Sequence, residues 1–376
     1  MESSRPIYLD YAATTPVDPE VVAAMLPMFS KEFGNPSSKD HVYGMKAMEA
    51  VERARDQVAA IVNANPTDVV FTSGGTESNN LAIKGVMDQE GGSHLVVSAV
   101  EHASILDSAK QLELEGHPVT HVQPDSHGRI HPDAIEAAIT GNTRLISVML
   151  ANNELGTIND IEAIAQMCNK RGVLVHTDAA QAVGKISVDA SMVDLLTFTG
   201  HKIYGPKGVG ALIVKKGVQL NSQILGGVGE RGRRAGTMNA ASIVGFGKAC
   251  ELCNEAEHQN LAELRDQLER LLMTGPSGAG TVINGCTQNR LPNISNIRFN
   301  GLGPDFVPSA ISGVACSAGS ACGSGGVSQS HVLHAIGLNS VEAASTIRLS
   351  LGRMTTKDEI TAAANVIAVC INRCRA

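Results

Sequence analysis

Between residues 68 and 214, short apolar runs alternate with helix-like stretches, and this alternation constrains the fold more than any other feature of the chain. The apolar, β-branched runs lie at residues 68–73, 94–100, 144–150, 172–177, 194–198 and 209–214. Runs of this length are typical of buried strands. Strands that alternate with helices form a mainly parallel sheet with helices on both faces. The sequence therefore predicts an α/β fold with a large, mainly parallel mixed sheet.

The chain changes character after Gly236. A long helical stretch is expected from Ala240 to about Met273, followed by strands at 293–299 and 346–351 and a last helix at 356–374. This pattern predicts a smaller α+β domain. We expect a large domain of residues 16–250 and a small domain that combines residues 1–15 with 251–376 and carries a Gly- and Ser-rich loop at about 317–330.

Composition excludes several classes of protein. Of the 376 residues, 43% are hydrophobic and 18% are charged, which is typical of a globular chain with a large core. The net charge is −7 and no basic run occurs, so nucleic acid and anionic membranes are not expected as direct partners. No apolar stretch has the length of a membrane span or of a signal-peptide core. We expect a cytoplasmic protein.

The eight cysteines are too few for a disulfide framework in a chain of this length. Two pairs, Cys250 with Cys253 and Cys370 with Cys374, have spacings that a four-thiolate zinc site could use. Both pairs fall in helix-like stretches, whereas zinc-binding pairs usually lie on turns that contain glycine or proline. Buried small side chains are the preferred interpretation, and no resident metal is predicted.

Lys202 follows the predicted strand 194–198, in a turn that is rich in glycine. Open α/β sheets bind ligands at the carboxyl ends of their strands, and a desolvated lysine there can form a Schiff base. Taken alone, Lys202 is better explained as a surface lysine in a loop. Its importance depends on the polar groups at the other strand ends.

Those strand ends carry the groups that pyridoxal phosphate requires. Residues 74–78 offer backbone N–H groups at a helix start, as phosphate sites do, and Asp178 offers a carboxylate. His102 offers a flat ring, and Asn153 and Gln181 offer amides. Thr199 offers a hydroxyl, and His201 offers an imidazole. Each group has an ordinary alternative, such as helix capping by Asp178 or Thr76. Together with Lys202 they match the cofactor's needs for a phosphate site, a carboxylate at the pyridine nitrogen and a Schiff-base lysine.

Ten segments, in order along the chain, resemble the NifS/IscS group of cysteine desulfurases. They are LDYAATTP (9–16), GNPSS (34–38), TSGGTESNN (72–80), EH (101–102), NNE (152–154), DAAQ (178–181), GHKIYGPKG (200–208), RAGT (234–237), SAC (320–322) and IRLSLGR (347–353). The resemblance implies a homodimeric enzyme of fold type I that uses pyridoxal phosphate.

The resemblance also implies a role for each matched residue. Lys202 would hold the cofactor and move the substrate α-proton, His102 would stack on the ring and act in acid–base steps, and Asp178 would pair with the pyridine nitrogen. The ring side would contact Asn153 and Gln181, and the phosphate would contact Gly75, Thr76, Thr199, His201 and, from the partner subunit, Thr237. The carboxylate of L-cysteine would bind Arg348, with Asn35 and Asn153 nearby.

The sulfur step needs a thiol nucleophile, and the resemblance points to Cys322 in the Gly/Ser loop. The thiolate of Cys322 would attack the sulfur of L-cysteine, releasing L-alanine and leaving a persulfide for a protein acceptor. Cys322 could also bind an iron–sulfur cluster during transfer. Cys316 aligns with an apolar position and is expected to be buried. The proton acceptor for the thiol stays open among His41, His102, His331 and the substrate itself.

The chain departs from its relatives at Gly229, where glutamine is usual, and at Ala235 and Thr199, where serine is usual. IscS-type relatives dock a scaffold protein with a longer tail than the one that ends here at Ala376, so we expect a specialised acceptor instead of the usual scaffold. Three kinds of acceptor are compatible: an iron–sulfur scaffold, a tRNA-thiolation relay and a DNA sulfur-modification system. The alternative functions are selenocysteine lyase or another β-elimination lyase, an aminotransferase, and a silent sulfur-relay scaffold. An oxidoreductase is disfavoured because the dinucleotide fingerprint G-x-G-x-x-G is missing.

Overall fold

The structure is a computed structural model that describes residues 5–87, 92–254, 256–302, 306, 308–318 and 330–375. Its strands are β1 (Ile7–Tyr8), β2 (Val69–Thr72), β3 (His94–Ser98), β4 (Val119–Val122), β5 (Thr143–Ser147), β6 (Leu174–Asp178), β7 (Leu195–Thr199), β8 (Gly210–Val214), β9 (Thr281–Asn284), β10 (Ile294–Phe299), β11 (Val314–Ala315) and β12 (Thr346–Ser350). Each apolar run that the sequence assigns to the large sheet overlaps one of these strands.

The helices alternate with the strands through the first two thirds of the chain. They are α1 (Pro19–Met25), α2 (Pro27–Ser30), α3 (Val42–Ala60), α4 (Gly75–Val86), α5 (Ala103–Leu114), α6 (Pro132–Ala138), α7 (Ile161–Asn169), α8 (Ala240–Glu251), α9 (Ala256–Thr274), α10 (His331–Ala335), α11 (Ser340–Ala344) and α12 (Lys357–Arg375). Asp18 caps α1, and Thr356 and Glu359 bond reciprocally at the start of α12.

The large sheet has seven strands in the order β2-β8-β7-β6-β5-β3-β4. All neighbours are parallel except β8, which runs antiparallel to β2 and β7. Parallel strands buried on both faces are apolar along most of their length, and β2, β3, β7 and β8 are buried throughout. This confirms the predicted α/β class. The carboxyl ends of β5, β6 and β7 meet at one edge of the sheet.

A second, antiparallel sheet of order β12-β10-β9 packs with α9 and α12 around its own apolar cluster, which includes Leu268, Ile297 and Ile367. The boundaries expected at residues 16 and 250 stay a prediction. The expectation of one helix from Ala240 to Met273 is wrong, because α8 ends at Glu251 and α9 begins at Ala256. Cys250 is buried at the end of α8, and the Cys253 thiol donates to the carbonyl of Ala249.

The N-terminal arm connects the two sheets. Its strand β1 pairs with β11, the N–H of Ala12 donates to the hydroxyl of Ser350 at the end of β12, and the N–H of Thr15 donates to the carbonyl of His201. Residues 10–15 therefore run along the edge where β6 and β7 end. Within the described ranges, no helix combines the length and the apolar character needed to cross a lipid bilayer.

Candidate active site

A cavity of about 190 Å³ opens at the carboxyl edge of the large sheet. Of the predicted site residues, it is lined by Gly75, Thr76, His102, Asn153, Asp178, Gln181, Thr199, His201, Lys202 and Arg348. They come from separate strand ends and from β12 of the second sheet. The topology thus brings together residues that lie up to 273 positions apart in the chain, from Gly75 to Arg348.

Lys202 ends a short 3₁₀ turn that directly follows β7. Its Nζ donates to the carbonyl oxygens of Ala12 and Ala13 in the N-terminal arm, at 2.5 and 2.7 Å. The backbone of the turn is also held in place, because Nζ of the buried Lys185 donates to the carbonyl of Lys202 at 3.1 Å. Burial lowers the pKa of Lys185 to about 8. Lys202 is therefore held in two ways, through its side chain and through its peptide group.

Asp178 is the last residue of β6, and it is 7% exposed. One carboxylate oxygen accepts the N–H of Ala180 at 2.9 Å, and the other accepts an N–H of Asn79 at 2.8 Å. Each oxygen keeps a lone pair for a further donor. A carboxylate fixed in this way is suited to accept a ring N–H from a ligand in the cavity.

His102 is the N-cap of α5, and its Nδ1 accepts the N–H of Ser104 at 3.1 Å. The ring proton is accordingly assigned to Nε2. The Ser104 hydroxyl also bonds Nδ1 at 2.8 Å and accepts an N–H of Asn79. Burial lowers the pKa of His102, with the charge of Lys202 acting in the same direction. The imidazole is therefore a neutral ring whose orientation is coupled through Asn79 to Asp178.

The first turn of α4 lines a recess that adjoins the cavity. Gly74, its N-cap, has φ +149° and provides no side-chain cap, so the first N–H groups of α4 are left for a ligand. Burial lowers the pKa of His201 to about 4, and the nearby lysines Lys202 and Lys207 add to this effect. The Thr199 hydroxyl donates to the carbonyl of Val209 at 3.1 Å. A phosphate contact from Thr199 therefore requires its hydroxyl to rotate.

Arg348 reaches the cavity from β12 and is 1% exposed. Nη1 donates to the carbonyl of Asn153 and Nη2 donates to a carboxylate oxygen of Asp10, both at 2.8 Å. Nε is buried without a hydrogen-bond partner among the described residues. Because a buried, unsatisfied donor is costly, this N–H marks where an anionic ligand group would bind.

Asn35 and Thr237 do not line this cavity. Asn35 lies in an exposed turn, where its side chain accepts the N–H of Ser37. Thr237 is exposed beside a separate recess that includes Glu230 and Arg234. Cys322 lies outside the residues that the structure describes. Cys316 follows β11, and burial raises the pKa of its thiol to about 12.

Sequence reasoning missed several residues that support the site. Asn79 belongs to the matched segment 72–80 but received no role, although its amide donates both to Asp178 and to the Ser104 hydroxyl that bonds His102. Lys185 and Asp10 were also missed. Asn79, four positions after Gly75, lies with it on α4, and Asp10 belongs to the matched segment 9–16, but no such signal marks Lys185.

The residues present fit pyridoxal phosphate. The recess at α4 offers backbone donors for a phosphate, Asp178 has lone pairs for a pyridinium N–H, and the Lys202 amine is within the same cavity. Oε1 of Gln181 is a buried acceptor without a partner in the described part of the chain. When bound, the cofactor supplies an electron-withdrawing ring that stabilises negative charge at the substrate α-carbon. Fold and site together define a pyridoxal phosphate enzyme of fold type I.

Comparison with known proteins identifies the family. Residues 7–362 match the model of the class-V aminotransferases. A cysteine desulfurase IscS from Serratia proteamaculans is 45% identical over 98% of this chain and 94% of its own length. A solved structure described as a NifS-like protein has a TM-score of 0.88 and 32% identity, covering 98% of this chain and 100% of its own. A second, described as SspA in complex with cysteine, has a TM-score of 0.81 and 37% identity, covering 92% and 98%.

The chain belongs to the class-V aminotransferase family, within the NifS/IscS group of cysteine desulfurases. Its activity is the pyridoxal phosphate-dependent removal of sulfur from L-cysteine, which gives L-alanine.

Proposed function

We propose that the cavity at the sheet edge is the site of cysteine desulfuration and that each residue acts as follows. Lys202 binds the cofactor and transfers the substrate α-proton, Asp178 accepts the ring N–H, and Arg348 binds the substrate carboxylate. The observation that carries this proposal is the convergence of the three on one cavity, with a phosphate recess beside it. The cysteine found with the similar SspA structure supports the choice of substrate.

Within this site His102 is suited to proton transfer. Its lowered pKa keeps the ring neutral at physiological pH, and a neutral imidazole can accept or release a proton as the substrate requires. The hydrogen bonds from Ser104 hold one ring nitrogen, so Nε2 is the nitrogen that would exchange protons with the substrate. The same neutral ring is suited to stack on the cofactor.

Cys322 is the proposed sulfur acceptor within the chain. Its thiolate attacks the substrate sulfur, an S–S bond forms, and the Cβ–S bond breaks with its electron pair remaining on carbon, which takes up a proton to give alanine. Cys316 is a poor alternative, because a thiol with a pKa of about 12 is ionised to only about one part in ten thousand at pH 8. The name IscS borne by relatives favours an iron–sulfur assembly protein as the next acceptor.

We further propose that two copies of the chain form the working enzyme. Apolar side chains that are at least 42% exposed cluster in sequence within residues 22–45; they are Val22, Leu26, Phe29, Phe33, Val42, Tyr43 and Met45. Exposed apolar groups in such number are typical of an interface. Thr237 lines a recess outside its own chain's cavity, which agrees with its proposed contact to the partner's phosphate. The free thiols of the seven cysteines that the structure describes agree with a cytoplasmic setting.

The test uses the purified protein, L-cysteine and a reductant. We expect alanine and sulfide in equal amounts, and a visible absorbance band that borohydride removes. Lys202→Ala should lack that band, whereas Cys322→Ala should keep the band and lose sulfide production. A Cys322→Ala protein that still releases selenide from selenocysteine at the parental rate, while the parent makes no sulfide, would identify a selenocysteine lyase instead.

A further inference from the structure

Two serines that lie on either side of Cys322 in the sequence are both anchored to the walls of the active site. Cys322 follows Ser317 by five positions and precedes Ser330 by eight. Ser317 and Ser330 belong to the described residues, and each is held by a group whose own chain segment lines the cavity. The anchors therefore fix the positions of Ser317 and Ser330, which we call the departure point and the return point of the segment that carries Cys322.

The first anchor is Arg348. The N–H of Arg348 donates to the carbonyl of Ser317 at 2.7 Å, and the N–H of Ser317 donates back to the carbonyl of Arg348 at 3.3 Å. The Arg348 guanidinium also reaches the Ser317 hydroxyl at 3.4 Å. The residue proposed to bind the substrate carboxylate thus fixes the departure point as well.

The second anchor is Glu154, whose side chain is 0% exposed. The Ser330 hydroxyl donates to Oε2 of Glu154 at 2.5 Å. Glu154 directly follows Asn153, which lines the cavity and accepts a hydrogen bond from Arg348. A buried carboxylate that accepts from a hydroxyl makes a strong, short hydrogen bond. The backbone of Glu154 is fixed in turn, because its N–H donates to the side chain of Asn152.

Ser330 also begins α10, since its hydroxyl oxygen accepts the N–H of Leu333 at 3.2 Å. The next residue, His331, donates from Nε2 to the carbonyl of Glu101 at 3.0 Å. Glu101 is the residue before His102. The return point is therefore joined to two cavity-lining residues, through Glu154 to Asn153 and through Glu101 to His102.

We propose that Glu154 is a positioning residue for sulfur transfer, a role that it serves by holding Ser330, the return point of the segment that carries Cys322. The inference rests on the proposed role of Cys322. The five positions from Ser317 to Cys322 can span at most about 18 Å, and the eight from Cys322 to Ser330 at most about 29 Å. A displacement of the return point by a few ångströms changes how often the thiol meets the substrate sulfur, and misplacement of about 1 Å at a reacting group can cost on the order of 100-fold in rate.

A purely structural role for Ser330 predicts a different result. If Ser330 only caps α10, its loss lowers stability without separating substrate binding from sulfur transfer. Asn339 offers a matched control, because it caps the equally short α11 by the same kind of hydrogen bond and is exposed. Ser330→Gly adds a second comparison, since glycine is nearly as good an N-cap as serine but lacks the hydroxyl that Glu154 accepts.

The experiment measures two quantities in the cofactor-loaded enzyme. The affinity for L-cysteine comes from a titration of the visible absorbance, and the rate of sulfur transfer comes from mass spectrometry of Cys322 after a single turnover. Ser330→Ala and Ser330→Gly should slow the transfer at least about tenfold with unchanged affinity. Ser330→Thr should retain the parental rate, because threonine keeps the hydroxyl. Glu154→Gln should slow the transfer less, because its amide oxygen still accepts the Ser330 proton.

The inference is overturned if folded Ser330→Ala or Ser330→Gly transfers sulfur at the parental rate. It is also overturned if Asn339→Ala slows transfer equally, or if affinity and rate fall together. A parent enzyme that carries no sulfur on Cys322 would instead refute the proposed function, and this inference with it. The parent measurement therefore separates the two failures.

Discussion

Arg348 combines several contacts that the proposed site depends on. Its guanidinium is buried, bonded to Asp10 and Asn153, and its backbone pairs with Ser317. Asp10 balances the charge that burial would otherwise penalise, while Nε is left for a ligand. Asp10 and Arg348 come from opposite ends of the chain, so the orientation of the guanidinium depends on the position of the N-terminal arm.

Replacement of Arg348 should weaken substrate binding. In Arg348→Lys the charge remains, but the planar fork that can bind a carboxylate through two N–H groups is lost. A charged hydrogen bond contributes about 1.5–3 kcal/mol, so the KM for L-cysteine should rise roughly 10- to 150-fold. Steady-state alanine production measures this. Arg298→Lys in β10, whose partner is Glu342, is the matched control and should keep the parental KM. An unchanged KM in Arg348→Lys would contradict the proposed role.

At the scale of residues, the sequence predicted those groups that follow apolar strands. Lys202 and Asp178 come directly after such runs, so periodicity alone places them at one edge of the sheet. Lys185 and Asp10 support the site through contacts between distant parts of the chain. Local spacing carries no information about such contacts. For this reason the cavity could be predicted from sequence, whereas the supporting hydrogen bonds of Lys185 and Asp10 could not.

Among the elements, β6 runs from the buried core to the cavity at the sheet edge. Asp178 ends the strand, and His176, two positions earlier on the same face, is 0% exposed. Nδ1 of His176 bonds the Ser147 hydroxyl in β5, and Nε2 bonds the Thr197 hydroxyl in β7. Burial lowers the pKa of His176 to about 4 from an ordinary value of 6.5. The histidine thus links three central strands as a neutral group.

This buried histidine should make the protein sensitive to acid. Between pH 6.5 and 4 the unfolded chain binds a proton at His176 and the folded chain does not, so the free energy of unfolding falls as the pH falls. The shift corresponds to at most about 3 kcal/mol. Denaturant unfolding of His176→Gln should show a shallower fall than the parent over this range. His121→Gln, on an exposed position of β4, is the control. Equal slopes in the parent and His176→Gln would refute this role.

Two features that the sequence did not predict, β4 and the break between α8 and α9, have weak local signals. β4 is an edge strand whose residues are mostly half-exposed or exposed, so its apolar pattern is diluted by polar residues. The break between α8 and α9 follows Leu252, and its one local signal is Asn254, whose side chain accepts the N–H of Ala256 at the start of α9. Helix continuity is decided there by packing against two different cores, and propensity alone does not report that choice.

For the whole molecule, we expect the exposed apolar residues 22–45 to form the contact between two copies. Phe29 is 65% exposed, and a carboxylate at its position would be desolvated in such a contact. Phe29→Glu should shift the sedimentation of the protein from two copies to one and weaken its hold on the cofactor. Leu114→Glu changes a still more exposed apolar residue at the end of α5 and should leave the mass unchanged. A dimer that survives Phe29→Glu would place the interface elsewhere.

The central claim is that the sulfur of L-cysteine moves to Cys322, and mass spectrometry after cysteine treatment without reductant tests it most directly. No lysine or arginine occurs between Arg298 and Arg348, so trypsin leaves Cys316 and Cys322 in one peptide, and fragmentation within it must separate them. We predict one additional sulfur atom on Cys322, none on Cys316, and none on either cysteine in Lys202→Ala. Additional sulfur on Cys316, or an unmodified peptide from an enzyme that releases alanine, would contradict the claim.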